Sequence, residues 1–309
     1  MASRVCVKRL KSVDFPTFGA PTRATIFPIT VLFLAAAKIV FIVNNKKTYF
    51  RQKIMLTVSN ISYRYQNNLV LQGVSFEFKK GDFCAIIGPN GSGKTTLLSL
   101  ISGAIKKQEG EILISEKKIE NYNTNTLAKK ISVVLQRNDS MYHFSVFDMV
   151  MFGRHPYQTR WSYYNPEDEE IVVDALRKTN LLSLKDRMTS QLSGGEYQRT
   201  LIARAIAQQT PLMLLDEPLA NLDIPHQFEI LDILSELNLT KHTTILMVVH
   251  DVSLAIQAIP ISLLLKNGKL TYYGSTSNIV QKNLIFELFD LDNNFEVNQY
   301  GGVIRTKKL

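Results

Sequence analysis

Gly88-Pro-Asn-Gly-Ser-Gly-Lys-Thr95, with Thr96 behind it, constrains this chain more than any other stretch. An apolar run, Phe83–Ile87, leads into it and a helical pattern over 94–102 leads out. Glycines at 88, 91 and 93 let the backbone curl so that successive N–H groups face inward. The helix start adds its positive end, and the result is an anion cradle. In the pattern G-x-x-x-x-G-K-[ST], Lys94 reaches the β- and γ-phosphates of a nucleotide and the Thr95 hydroxyl ligates Mg²⁺. Gly88, Pro89, Asn90, Gly91, Ser92, Gly93, Lys94, Thr95 and Thr96 are therefore read as a nucleotide triphosphate site. The bland alternative, a glycine-rich turn before an unrelated helix, does not explain the flanking strand and helix. Alone, the motif leaves kinase, GTPase and ATPase open.

The rest of the chain from Met55 alternates strands and helices. Short runs apolar on both sides, as in parallel strands covered on each face, recur at Phe83–Ile87, 131–135, Leu212–Leu215, 244–249 and 261–265. Helical patterns fall at 94–102, 196–208, 227–239 and 252–259; in the third, Phe228, Leu231, Leu234 and Leu237 share a face. Over 56–79, Val74, Phe76 and Phe78 alternate with Ser75, Glu77 and Lys79, which predicts an antiparallel sheet with one wetted side. Between Ser145 and Thr189 the strands stop, and two or three helices are expected, one of them over 168–179. No long repeat is visible, so the chain holds one copy of one unit.

Two further elements narrow the chemistry. Leu212-Met-Leu-Leu-Asp216-Glu217 is an apolar strand ending in two carboxylates. Asp216, at the strand's carboxyl end, is placed to hold Mg²⁺ through its water shell, and Glu217 to polarise a water for attack on the γ-phosphate. Read alone, such a pair is as often a solvated turn; the phosphate loop earlier in the chain decides for catalysis. The second element is Leu192-Ser193-Gly194-Gly195-Glu196-Tyr197-Gln198-Arg199. Ser193 and Glu196 have capping-box spacing, so a helix should start here. The two glycines leave its first N–H groups uncovered for a phosphate.

With these elements in hand, residues 55–309 resemble the ATP-binding subunit of an ABC transporter, and 192–198 resemble that superfamily's signature sequence. The implied fold class is α/β: a P-loop NTPase (RecA-like) core, an N-terminal antiparallel β subdomain and a helical signature subdomain inserted at about 145–205. The resemblance implies that Tyr65 stacks on adenine, that Gln136 senses Mg²⁺ and the attacking water, and that His250 contacts the γ-phosphate. It also implies that Ala220-Asn-Leu-Asp223 is the loop through which two sites communicate. Tyr65 has a bland reading as a strand tyrosine like Tyr63, and lone histidines are more often structural; of the five here, His250 is the one at a strand end beside the nucleotide motifs. Glu196 stands where the best-known signature has glutamine. In a capping box its side chain faces away from the phosphate, so activity should survive.

The implied assembly is a head-to-tail dimer, most simply of two copies, with two ATP sites. Each uses Lys94, Thr95, Gln136, Asp216, Glu217 and His250 of one subunit and Ser193, Gly194, Gly195 and Glu196 of the other, with Thr95, Gln136 and Asp216 around Mg²⁺. The chain supplies no membrane bundle, so the resemblance implies a separate permease docked on the insert after Gln136, with a solute-binding protein acting indirectly. The subunit is then peripheral, on the cytoplasmic face of the cell membrane. Phe144-Ser-Val-Phe-Asp-Met-Val-Met-Phe-Gly153-Arg154-His155-Pro156-Tyr157, then Trp161, Tyr163 and Tyr164, resembles the importers of ferric siderophores, haem and cobalamin. So do Leu222-Asp-Ile-Pro-His226-Gln227 and the tail from Leu284 to Phe289. Iron chelates are favoured over cobalamin. The alternatives are another ABC cargo, an exporter subunit, a binding module without turnover, and a soluble ABC ATPase such as an iron–sulfur assembly factor. Glu217 and His250 count against loss of turnover, and the aromatic segment around 153–164 counts against a membrane-independent partner.

Composition matters for one exclusion. The formal charge is +9, but residues 1–54 hold ten Lys/Arg and a single acid, Asp14. The remaining residues carry 26 bases and 26 acids, so the globular part makes no electrostatic case for nucleic acid. The two cysteines, Cys6 and Cys84, form no disulfide framework and no zinc motif. The apolar stretch 29–43, broken by Lys38, has roughly 15 residues where a membrane span needs about 20. It also fits a secretory signal poorly. Residues 1–54 are read as an extension outside the fold, with translation starting at Met55; a surface-bound extension and a membrane anchor are the alternatives.

Overall fold

The computed structural model of the chain describes residues 53–135, 144–158 and 165–306. Gln136, Trp161, Tyr163, Tyr164 and residues 1–52 lie outside them, and so do the expectations placed on those residues. In chain order the elements begin with β1 (Ile54–Tyr65), β2 (Asn68–Lys79), β3 (Phe83–Ile87), α1 (Lys94–Ile101), β4 (Glu109–Ile114), β5 (Lys117–Lys118), α2 (Thr124–Ala128) and β6 (Ile131–Val134). Then come α3 (Val146–Met151), α4 (Pro166–Lys178), α5 (Gly194–Ala207), β7 (Leu212–Leu215), α6 (Ile224–Lys241), β8 (Thr244–Val248), α7 (Val252–Ala258), β9 (Ile261–Lys266) and β10 (Lys269–Ser275). The strands form an antiparallel sheet in the order β2-β1-β4-β5 and a six-stranded sheet in the order β10-β9-β3-β8-β7-β6. In the larger sheet only β10 runs antiparallel to its neighbour.

The apolar runs read from the sequence are apolar because each strand feeds two cores. Phe83, Ala85 and Ile87 of β3 face one core, and Cys84 and Ile86 the other. Ile245 and Met247 of β8 alternate in the same way with Leu246 and Val248. Helices α3 to α7 cover the first face; α1 and the antiparallel sheet cover the second, with Leu97, Leu100 and Ile101 against Leu56, Phe76 and Ile112. A side-chain period of two, with both faces buried, admits polar residues along these strands only where they are hydrogen-bonded, as Ser132 is to Thr210, Thr244 to the Gly81 amide and Ser262 to Thr276.

Between residues 145 and 189 the described chain is helical apart from one isolated pairing, Ser145 with Met188. Helix α6 differs from the expectation. It starts three residues earlier, because Pro225 is tolerated in a first turn, and Asp223 holds the N-cap position. Its buried side chains are Ile230, Leu231, Ile233 and Leu234, while Phe228 is 38% exposed. Leu231, Leu234 and Leu237 of the expected face pack on the core, and Ile230 and Ile233 join them. Among the described residues no helix is long and apolar enough to cross a membrane.

Strand order is what positions the site. β3, β8 and β7 are adjacent and parallel, so their carboxyl ends emerge side by side. Gly88, His250 and Asp216 follow those ends within a residue or two.

Candidate functional site

The phosphate loop is shaped by close approaches that exclude side chains. A Cβ on Gly88 would stand 2.1 Å from the Leu265 carbonyl oxygen, and one on Gly93 would stand 2.7 Å from Leu71 Cδ2. Gly93 has φ +100°, which an L side chain rarely adopts, and is the N-cap of α1. Lys94 is 5% exposed, and its ammonium donates to the carbonyls of Gly88 and Pro89, each at 2.9 Å. Two of its three donors close the loop, which leaves one for a phosphate oxygen. Burial pushes the lysine below its usual range, against the pull of Glu217 and Asp216. Among the described residues the buried hydroxyl of Ser92 finds no hydrogen-bond partner. A buried polar atom left alone inside a cradle of first-turn N–H groups fits an anion that completes it.

The carboxylates arrive from β7. Asp216 is buried, and its amide extends the sheet by donating to Val134 at 2.8 Å. Its Oδ1 accepts from the Thr95 hydroxyl at 3.3 Å. Burial raises the Asp216 carboxyl; Thr95 and Lys94 oppose the rise and Glu217 adds to it. A hydroxyl and a carboxylate oxygen side by side are hard donors suited to Mg²⁺. Among the described residues no cluster of His, Cys, Asp and Glu could hold a metal by itself, so oxygens of a nucleotide would have to complete this shell. Glu217 sits at φ +52°, in the left-handed region, immediately before Pro218. Its Oε1 is 2.5 Å from His250 Nε2. A glutamate held in that backbone state beside a histidine is the local strain that functional sites keep.

Tyr65 ends β1 and is 48% exposed, standing edge-on to Tyr63 at 5.0 Å. Gln108 was not singled out from the sequence. It accepts from the Arg64 amide at 2.8 Å and donates to the Arg64 carbonyl at 2.9 Å, so it fixes the backbone between the two tyrosines. The turn Asn267-Gly268 between β9 and β10 was also missed. Gly268, at φ +76°, donates to the Ser92 carbonyl and accepts from the Gln72 amide, tying the phosphate loop to the β1–β2 hairpin. Asn-Gly between two apolar strands is a strong hairpin signal, and it was present in the sequence. Gln108 has no such signal.

The signature turn lies elsewhere. Ser193 caps α5: Glu196 N donates to Ser193 Oγ at 3.3 Å, and Ser193 N donates to Glu196 Oε2 at 2.7 Å. The capping box is complete, and the Ser193 amide holds the Glu196 carboxyl below its usual range. Ser193 and Gly194 are exposed and Gly195 is buried. Among the described residues no hydrogen bond or ion pair joins Ser193 or Glu196 to the phosphate loop. Asp223, also exposed, makes no side-chain cap on α6. The fold therefore brings Lys94, Thr95, Asp216, Glu217 and His250 together, and leaves Ser193, Gly194 and Asp223 exposed, with Glu196 half-buried and folded back onto the Ser193 amide. Gln136 falls outside the described residues.

Comparison with known proteins follows the same lines. Residues 71–220 match the ABC transporter family. A petrobactin import ATP-binding protein of Bacillus subtilis is 38% identical over 77% of this chain and 93% of its own length. The ferric enterobactin transport ATP-binding protein of Escherichia coli is 36% identical over 74% of this chain and 84% of its own. Among solved structures, a chain of an inward-facing, metal-chelate type ABC transporter superposes with a TM-score of 0.70 at 30% identity, covering 82% of this chain and 98% of that one.

Proposed function

This chain belongs to the ABC transporter family as an ATP-binding subunit and ATPase, and we propose that it powers import of an iron chelate through a separate permease. The observation that carries the catalytic part is the convergence at the ends of β3, β7 and β8. Lys94 with the cradle amides binds the β- and γ-phosphates, and Tyr65 offers a face to adenine. Glu217, positioned by His250, polarises the attacking water, and His250 then faces the γ-phosphate. Mg²⁺ would be held by Thr95 and Asp216 and would neutralise charge on the phosphates. Ser193 and Gly194 are exposed at the start of a helix, so this turn serves a nucleotide on a second copy. That makes the working form a head-to-tail dimer with two shared sites.

The cargo reading rests on relatives whose names specify petrobactin and ferric enterobactin. It places the subunit at the cytoplasmic face of the membrane, with the described insert around α3 and α4 toward the permease. Residues 1–52 take no part in this reading; Lys53 and Ile54, expected outside the fold, belong to it, since the Lys53 carbonyl accepts from the Lys80 amide and β1 begins at Ile54.

The test is uptake in a strain lacking the gene, complemented with the full chain, with Glu217→Gln, and with a chain starting at Met55. Iron-chelate uptake should return with the full chain and not with Glu217→Gln. Unimpaired uptake of every iron chelate in the deleted strain would overturn the cargo reading, and cobalamin would be tried next. Failure of the Met55 chain alone would show that residues before Met55 are needed, and a chain starting at Lys53 would separate the start of β1 from the extension.

A further inference from the structure

We propose that His226 is a positioning residue that locks the signature turn of α5 to the Asp223 loop at the start of α6, so that both meet a partner subunit's nucleotide as one body. The inference rests on the head-to-tail reading. It begins with an unexplained glycine. Gly195 has no left-handed backbone, so its own conformation does not demand glycine. What crowds a side chain there is an imidazole: a Cβ on Gly195 would stand 3.1 Å from His226 Cδ2, so the ring would have to give by a few tenths of an ångström. The ring lies against the glycine of the signature turn.

The other ring atoms hold it there. His226 Nδ1 is 3.3 Å from Glu229 Oε2 and 3.3 Å from Arg199 Nη1, and either bond fixes the ring plane. Nε2 then faces Asp223 Oδ1 at 3.8 Å. Arg199 lies one turn after Gly195 on α5, and its guanidinium donates to Glu229 at 2.6 Å. Asn180, just past α4, donates to the other Glu229 oxygen at 3.0 Å. The Arg199–Glu229 pair joins the two helices. Among these residues only His226 also touches both the signature glycine and the Asp223 carboxylate.

His226 is half-exposed and belongs to neither hydrophobic core, so its loss should not unfold the chain. Its contacts hold two outward-facing turns in register, and a partner's phosphate would feel any slack between them. Small misplacements of groups that must meet a reacting phosphate are costly in rate even when ground-state binding survives.

The experiment uses the full chain. In a Glu217→Gln background, ATP-driven dimerisation is followed by size-exclusion chromatography with and without His226→Ala. In the otherwise native chain, His226→Ala and His226→Gln are assayed for steady-state ATPase and thermal unfolding. We expect Glu217→Gln to dimerise with ATP, and the double variant to need about tenfold more protein to do so at saturating ATP. In the native background we expect kcat to fall about tenfold with KM for ATP within about twofold and the unfolding midpoint nearly unchanged. His226→Gln, whose amide can reach the Asp223 side, should recover part of the rate. A Glu217→Gln dimer that forms equally well with His226→Ala, at unchanged kcat, overturns this inference and leaves the dimer reading standing. A Glu217→Gln chain that stays monomeric with ATP overturns the dimer reading, and this inference falls with it.

Discussion

The two helix starts of the site, α1 after the phosphate loop and α5 after Ser193, solve the same problem in opposite ways. At α1 the N-cap is a glycine without a side-chain cap, and the groups around it come from the same chain: Lys94 folded onto loop carbonyls, Thr95 against Asp216, Glu217 against His250. At α5 a serine and a glutamate cap each other, and the exposed Ser193 and Gly194 meet nothing of the phosphate loop. One helix start is set into its own active site, while the other is presented. Nearby, Ile224 is 68% exposed, an apolar side chain in the same outward-facing stretch as Asp223. The contrast teaches that folding alone gathers the groups around one helix start, and in the head-to-tail dimer we propose, association would complete the other.

Four experiments would break or sharpen that contrast. The largest effect is expected from Glu217→Gln. Losing a general base typically costs about 10²- to 10³-fold in turnover, and ATP binding should persist because Lys94 and the loop are untouched. Single-turnover ATPase with a separate binding titration checks both; ordinary turnover would remove Glu217 as the base. Next is Lys94→Ala, with an expected loss of about 10- to 100-fold in ATP affinity, the worth of charged hydrogen bonds in a buried setting. Equilibrium binding measures it, and unchanged affinity would contradict the cradle assignment. Mixing then tests the presented half: Lys94→Ala and Ser193→Ala chains, each impaired alone, should regain ATPase when combined. A mixed head-to-tail dimer holds one site in which both residues are native. Absence of recovery, with mixed dimers shown to form, would place both residues in one subunit's site.

How much of this was legible in the sequence depends on how local each signal is. The phosphate loop, the Asp216-Glu217 pair and the capping box are each set by neighbours within a few residues, so spacing alone located them. The runs at β3, β7 and β8, apolar on both sides apart from Thr244, announced buried parallel strands, and strand order then brought Gly88, Asp216 and His250 together. What spacing could not show is contact across the chain. Gln108 clamps Arg64, and His226 packs on Gly195, through pairings that only the tertiary fold creates. On α6 the spacing was informative: Leu231 and Leu234 are buried and Leu237 packs against the same core, while Phe228 near the helix start is 38% exposed. The role assigned to Gln136 rests on sequence resemblance, since that residue is outside those described.

Tyr65 gives the smallest effect and the finest test of the folded half. Its ring is half-exposed at the end of β1, so removing it opens no core cavity and stability should hardly change. Stacking on an aromatic contributes about 1 kcal/mol, which corresponds to about a fivefold rise in KM for ATP with kcat preserved. The same substitution should narrow the difference between ATP and GTP, because the lost contact is to the base and not to the phosphates. Tyr65→Phe should keep most of the affinity, since the ring face and not the hydroxyl makes the stack. If Tyr65→Ala leaves KM and base preference unchanged, adenine stacks elsewhere. Gln108→Ala then separates the two explanations: it loosens the backbone at Arg64 without touching the ring. A comparable rise in KM from Gln108→Ala would show that the position of the β1 end, and not the ring alone, sets nucleotide affinity.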